Sequence, residues 1–288
     1  MKMSRLTVLV MILTLLAAGV AFAGKDLDAV KKKGFIQAGV NGGVFGFGMP
    51  DEKGVWKGLD VDTAKAVAAA IFGDASKVKF TPLTAQQRFT ALQSGEIDVL
   101  TRNATRTLSR ETQLGLSFVA VNYYDGQGFM VPKKLGVSSA KELDGASVCI
   151  QTGTTTELNL ADFFRANNIK YEPVPIETND EARTNYLAGR CDVYTTDASG
   201  LASTRSTFDA PAEHDILPEI ISKEPLGPAT RHGDDQWSEI VRWVLNATIA
   251  AEELGITQAN VDEMAKAPGA NPEINRMLGT EGDLGAML

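Results

Sequence analysis

Between positions 101 and 110 the chain reads Thr-Arg-Asn-Ala-Thr-Arg-Thr-Leu-Ser-Arg, three arginines and three threonines in ten residues. A free carboxylate is held best by a planar, two-pronged guanidinium, with hydroxyl or amide donors for its remaining lone pairs. Where such a run opens a helix, the free N–H groups and the helix dipole add to the pull on an anion. Arg110 falls one helical turn after Thr107, so its side chain can fold back over that terminus. A second run, Gln151-Thr-Gly-Thr-Thr-Thr-Glu157, puts hydroxyls at another turn into a helix. Thr154 or Thr155 can cap that helix, with Glu157 in its first turn. The run lacks the GxxxxGK[ST] spacing and the lysine of a phosphate loop. The complementary charge is Asp197, after Thr195-Thr196, which can neutralise an ammonium or, more plainly, cap a helix over 198–204. Arg88 lies on a helix leading towards the same region and can meet a second carboxylate or lie in solvent. Together these groups suit the capture of a small zwitterion. Each also has a structural reading, as a surface arginine or a helix cap.

The elements that must position them repeat. Leu92-Gln-Ser-Gly-Glu-Ile-Asp-Val-Leu-Thr-Arg-Asn103 and Leu187-Ala-Gly-Arg-Cys-Asp-Val-Tyr-Thr-Thr-Asp197 each read as a helix end, a glycine, a short strand and a polar residue at its end. Ligands of open α/β sheets bind just outside such carboxyl ends. The first echo closes a βαβαβ series: strand 34–40, helix 62–72, strand 78–82, helix 85–93, strand 97–100. The second closes another: strand 147–150, helix 156–167, strand 171–174, helix 179–188, strand 192–195. Each series implies parallel strands joined by right-handed crossovers. Residues 118–131 and 216–230 are extended, the latter marked by Pro218, Pro225 and Pro228, and read as paired crossings between two lobes. Helices over 234–254 and 257–266 are expected on the first lobe, and Asn271-Pro272 marks the start of another. The glycine-rich turn Asn41-Gly-Gly-Val-Phe-Gly-Phe-Gly48 brings Phe45 and Phe47 as an apolar wall or as core.

Lys2 and Arg5 precede an apolar run from Leu6 to Val20, and Ala21-Phe22-Ala23 fits a small-x-small cleavage site. This predicts a signal peptide over 1–23 and a secreted chain from Gly24. The run is shorter than the ~20 apolar residues of a spanning helix. The 288 residues are 44% hydrophobic and 22% charged, ordinary for a globular protein, and the net charge of −8 becomes −10 when Lys2 and Arg5 leave. An acidic chain without a basic run is unsuited to nucleic acid. Cys149 and Cys191 are an even pair in an oxidising compartment, which favours a disulfide over two buried thiols. His214 and His232, the only histidines, stand in loop-like surroundings. No GxSxG elbow, HExxH or cysteine–histidine arrangement suggests catalysis, and no metal or cofactor is expected.

Gly58-Leu-Asp-Val-Asp62 followed by Val67-Ala68 resembles the signature of the family 3 extracellular solute-binding proteins, the periplasmic receptors of polar amino-acid ABC importers. The likeness extends to Ser94–Asn103, Tyr123–Met130, Gln151–Leu160, Gly189–Asp197 and Leu217–Pro228, runs similar to the general L-amino-acid-binding type and spread over the whole mature chain. The resemblance implies an α/β, two-lobed periplasmic binding fold of type II, with two hinge strands and a mixed sheet flanked by helices in each lobe. It places lobe one at 24–124 and 226–288 and lobe two at 125–225. It implies that Arg110 binds the ligand carboxylate with Asn103, Thr105 and Thr155, that Asp197 binds the ammonium, and that Arg88 meets an acidic side chain. The implied function is capture of L-amino acids for an inner-membrane ABC permease by a periplasmic monomer that is not an enzyme. The alternatives are a secreted cyclohexadienyl- or arogenate-dehydratase-like enzyme on the same fold and a sensor module that delivers its ligand to a receptor. Position 106 is Arg where similar sequences carry Trp, which bears on pocket shape. Ala38 and Thr63 stand in place of a cysteine pair. Similar proteins continue for several tens of residues past Leu288, so the resemblance also implies a shortened C-terminus.

Overall fold

Short apolar runs, each followed by a helix, build two sheets on one plan. The computed structural model describes residues 24–287; the expected signal segment 1–23 lies outside the described residues. Helix α1 (Lys25–Lys33) leads into β1 (Ile36–Val40), a small hairpin of β2 (Met49–Pro50) and β3 (Trp56–Lys57), and helix α2 (Leu59–Phe72). Then follow β4 (Val78–Pro82), α3 (Gln87–Ser94), β5 (Val99–Leu100), α4 (Leu108–Gln113) and β6 (Leu116–Phe118). The first crossing is β7 (Tyr123–Asp125), continuing into β8 (Gln127–Pro132). The second series comprises β9 (Ala146–Gln151), α5 (Thr155–Ala166), β10 (Tyr171–Ile176), α6 (Asn179–Leu187), β11 (Val193–Asp197), α7 (Ala198–Ser206) and β12 (His214–Ile216). The chain returns through β13 (Glu224–Leu226) to β14 (Ala229–Arg231), α8 (Asp235–Glu253), α9 (Val261–Met264) and α10 (Pro272–Met277).

The first sheet has the order β4-β1-β5-β14-β6 and the second the order β10-β9-β11-β8-β12. In each, one βαβαβ unit supplies three parallel strands, with β1 between β4 and β5 and β9 between β10 and β11. Two antiparallel strands extend each sheet, β14 and β6 in the first and β8 and β12 in the second. The fold is thus two mixed sheets flanked by helices. The crossings pair antiparallel, Asp125 opposite Glu224 and Tyr123 opposite Leu226, as the paired extended segments led one to expect. In both echoes the glycine has the left-handed backbone that closes a helix, Gly95 at φ 80° and Gly189 at φ 70°, a conformation glycine adopts without steric cost.

Strand alternation divides each core in two. Ile36, Ala38 and Val99 pack with Val67 of α2 and with Trp237 and Val241 of α8, while Leu83, Leu92, Ile97 and Leu100 form the other cluster. In the second sheet Phe129 and Val131 face Leu160 and Phe164 of α5, whereas Met130 faces Tyr186 and Leu201. Burial of each such large side chain contributes about 1.5–3 kcal/mol. Trp237 is fully buried and its indole donates to the Asp98 carbonyl at 3.0 Å, locking α8 to the first sheet. Cys149 of β9 and Cys191, just before β11, are joined in a disulfide with Cα atoms 5.5 Å apart. It closes a span of 42 residues, which in the chain-entropy account stabilises by about 4 kcal/mol.

Two boundaries differ most from the sequence reading. Helix α2 begins three residues earlier than its apolar pattern indicates, because the Leu59 and Asp60 amides donate to the carbonyls of Gly46 and Phe47 in the glycine-rich turn, satisfying its free end. The helix expected over 257–266 is reduced to Val261–Met264. There Asn260 accepts from the Thr257 amide and donates to the Gly255 carbonyl, a local bonding pattern that competes with helix.

Candidate ligand-binding cleft

The carboxyl ends of the parallel strands of both sheets face one another. Asn103 and Thr105 follow β5, Thr155 opens α5 just after β9, and Asp197 ends β11. The two sides touch at several polar points. Thr105 Oγ1 and Thr155 Oγ1 lie 3.3 Å apart, Asn41 Nδ2 donates to Asn179 Oδ1 at 3.3 Å, and Arg88 Nη2 reaches the Gly153 carbonyl at 3.5 Å. A cavity of about 310 Å3 lies beside these contacts, lined by Asn41, Leu83, Gln87 and Arg102 from one side and Gln151 and Asn179 from the other.

The first wall is cationic. Thr107 caps α4 by accepting from the Arg110 amide at 3.3 Å, and the Arg110 side chain folds back to donate from Nη1 to the Thr105 carbonyl at 2.7 Å. Its guanidinium and that of Arg88 both lie over the ring of Phe89, at 4.8 and 4.7 Å, where the ring's negative face attracts each cation. Arg88 is only 3% exposed, and its Nε has no hydrogen-bond partner among the described residues. Burial, and then the neighbouring cations Arg102 and Arg110, hold the Arg88 pKa well below that of an ordinary guanidinium, against the opposing pull of Asp197 and Glu224. Burial likewise lowers Arg102 and Arg110 to about 10. A cation left short of acceptors in a dry site gains most from an arriving anion.

The second wall carries an acid. Asp197 occupies the N-cap position of α7, yet its side chain makes no capping bond, and no group among the described residues donates to its carboxylate. Burial raises its pKa to about 8, helped by Asp125 and Glu224 and opposed by Arg88 and Arg110. The plainer sequence alternative, a helix cap, is therefore not what this carboxylate does. Thr154 takes the capping role on α5, accepting from the Glu157 amide at 3.2 Å, and this leaves Thr155 facing the cleft.

The structure thus gathers Arg88, Thr105, Arg110, Thr155 and Asp197 around one region, with Asn103 at its edge. Asn103 has a left-handed backbone, φ 30°, uncommon for a residue with a side chain. Its amide donates to Asp60 Oδ2 at 2.7 Å and its Oδ1 accepts from Asn41 at 3.1 Å. Arg106 is not brought into this group: it is half-exposed and pairs with Glu111 at 3.1 Å. Phe45 is exposed, while Phe47 is buried against Tyr123. His214 lies apart, bonded through Nδ1 to the Tyr186 hydroxyl at 2.8 Å.

Two acids escaped sequence reasoning. Asp60, buried in the first turn of α2, accepts from the Asn103 amide and from Asn122 Nδ2; burial raises its pKa to about 6 against those bonds and Arg102. Its place in the Gly58–Asp62 signature was visible, its partners were not. Glu224 of β13 accepts from Thr105, Thr155, Asn159 and Ser222. Nothing in its surroundings in sequence marks it out.

Comparison with known proteins agrees with this fold. The family described as bacterial extracellular solute-binding proteins, family 3, matches residues 36–259. The glutamate/glutamine/aspartate/asparagine-binding protein BztA of Rhodobacter capsulatus is 62% identical over 95% of this chain and 80% of its own length. The general L-amino acid-binding periplasmic protein AapJ of Rhizobium johnstonii is 62% identical over 93% of this chain and 78% of its own. Among solved structures, a periplasmic binding protein of an ABC transporter from Brucella ovis, with glutathione bound, superposes with a TM-score of 0.85 at 59% identity, covering 89% of this chain and 80% of that one. The chain belongs to the family 3 bacterial extracellular solute-binding proteins.

Proposed function

We propose that the protein captures L-amino acids in this cleft and delivers them to an inner-membrane ABC permease, as a periplasmic, non-enzymatic monomer. The observation that carries the reading is a buried Asp197 without a donor, set across from Arg88 and Arg110. An α-ammonium satisfies the first, an α-carboxylate the second, and the zwitterion brings no net charge into the site. In this reading Arg110, with Asn103, Thr105 and Thr155, binds the carboxylate, Asp197 the ammonium and Arg88 an acidic or amide side chain. Lobe one comprises 24–124 and 226–288 and lobe two 125–225, in keeping with the membership of the two sheets. The names of the relatives support the ligand class, four polar amino acids for one and L-amino acids in general for another. The glutathione of the Brucella ovis protein offers the same ammonium and carboxylate pair on its γ-glutamyl end.

Contacts from both walls make closure a shift of population towards the closed form. The test is a thermal-shift screen of the ligand-free protein against all L-amino acids, with calorimetry on those that respond. A ligand at a hundred times its Kd stabilises by about 2.7 kcal/mol, so a clear rise in Tm with glutamate, glutamine, aspartate or asparagine is expected. No rise with any amino acid would remove the proposal.

A further inference from the structure

We infer that Glu224 is a positioning residue that ties closure of the cleft to the alignment of its hydroxyls; the ligand-affinity part of this inference rests on the amino-acid-binding reading. Glu224 stands on β13, in the two-stranded ribbon with β7 that links the two sheets, and is only 2% exposed. Its Oε2 accepts from Thr105 Oγ1 at 2.6 Å and from Thr155 Oγ1 at 2.9 Å. Its Oε1 accepts from Asn159 Nδ2 at 2.8 Å and from Ser222 Oγ at 2.6 Å. A carboxylate offers about four lone-pair sites, so this one is filled.

The donors come from opposite walls. Thr105 follows β5 of the first sheet, while Thr155 and Asn159 belong to α5 on the second. A single oxygen therefore bridges the cleft, and it does so from the ribbon about which the walls must move. Separation of the walls takes Thr105 away, or else Thr155 and Asn159, and exchanges charge-assisted bonds for weaker ones to water. The three bonds to the walls therefore favour the closed arrangement before any ligand arrives. The same bonds commit the hydrogens of Thr105 and Thr155 to Glu224, which fixes the rotation of both hydroxyls where the ligand is to sit. Asp197 differs on every count: it is buried without a donor and has a bond to offer the ligand. The two acids divide the work, one holding the cleft and the other holding what enters it.

The test uses E224Q, which keeps the size of the side chain but removes its charge and replaces one acceptor oxygen with an NH2, so that the groups on that side lose their acceptor. Small-angle scattering of the ligand-free protein reads closure, and calorimetry reads binding. E224Q is expected to raise the radius of gyration of the ligand-free protein and to weaken every amino acid that binds by about tenfold, whatever its side chain. T105V, which removes only the first-wall donor, should give the same increase in radius, and the double variant should add little to either change. E224Q with an unchanged radius and affinities within twofold of the parent would overturn the inference. So would a lowered Tm at constant radius in both variants, since that marks a role in folding alone. Should the parent bind no amino acid, the functional reading fails while the scattering comparison still decides the role of Glu224 in closure.

Discussion

At the end of β5 the first sheet leads through Asn103 and Thr105 to Arg110; at the matching end of β11 the second sheet presents Asp197. The backbone plan is shared, down to the left-handed glycine before each strand, but the electrostatics are opposed. The cations of the first wall are partly served by the protein, through carbonyls at Thr105, Leu83 and Gly153 and through the ring of Phe89. The acid of the second wall receives no hydrogen bond among the described residues. A repeated frame thus makes a cleft with unlike ends, which in the proposed reading orient what binds there. Carbonyls take some of the demand from the arginines, so in that reading Asp197 gains more from the ligand.

The largest effect should come from removing either charge. Truncation of one partner of a buried, hydrogen-bonded charge pair costs about 2–5 kcal/mol, so R110A and D197A should each weaken amino-acid binding by roughly thirtyfold or more. Calorimetry showing either variant within a few-fold of the parent would mean that its wall is not needed. D197N should likewise lose binding yet melt higher than the parent at pH 8, because it removes a buried carboxylate without a donor. An unchanged or lower Tm would show that Asp197 is served in solution after all.

A smaller, selective effect is expected of Arg88, which neither wall satisfies at Nε. R88A should lower affinity for aspartate and glutamate by about tenfold, one charge-assisted hydrogen bond, and spare small neutral amino acids. An equal loss for alanine and glutamate would place Arg88 on the α-carboxylate instead.

On binding, the smallest effect is that of pH on the acidic wall. Asp197 has a folded pKa of about 8 against an ordinary 3.8, so between these values the folded state holds a proton that the unfolded state has lost. Its contribution to stability is therefore fully present below pH 3.8 and is lost as pH rises through about 8. The Tm of the parent relative to D197N should fall from pH 5 to about pH 8 and level off above it. An ammonium ligand needs the ionised carboxylate, so binding near pH 7 should release a proton and strengthen several-fold towards pH 8. Binding heats that do not vary among buffers of different ionisation enthalpy would refute this.

Much of the fold was legible because its signals are local. The apolar residues of β1, β4, β9 and β11 and the glycines after the helices that precede β1, β4 and β11 lie within a few residues of one another, and two copies of one pattern imply two sheets. Arg88, Arg110 and Asp197 could be nominated from their charge near the ends of the repeated strands, each with a structural reading beside it, whereas Asn103, Thr105 and Thr155 received their roles from the family resemblance. Where a competing local bond intervened, as at Asn260, the apolar pattern overstated the helix. Arg106 could not be read, since its exposure depends on the nearby Glu111 and on the direction in which its loop faces.

The amino-acid sequence by itself therefore determined the repeated α/β units, the cysteine pair and the polar ends of the strands, all consequences of periodicity and residue chemistry over short spans. Only the tertiary structure decided which acid is free and which is engaged. Thr105 and Glu224 are 119 residues apart in the chain, and Asp60 and Asn103 are 43 apart. The partners of a buried carboxylate, and hence whether it holds the protein or the ligand, depend on what the folded chain brings within 3 Å of it.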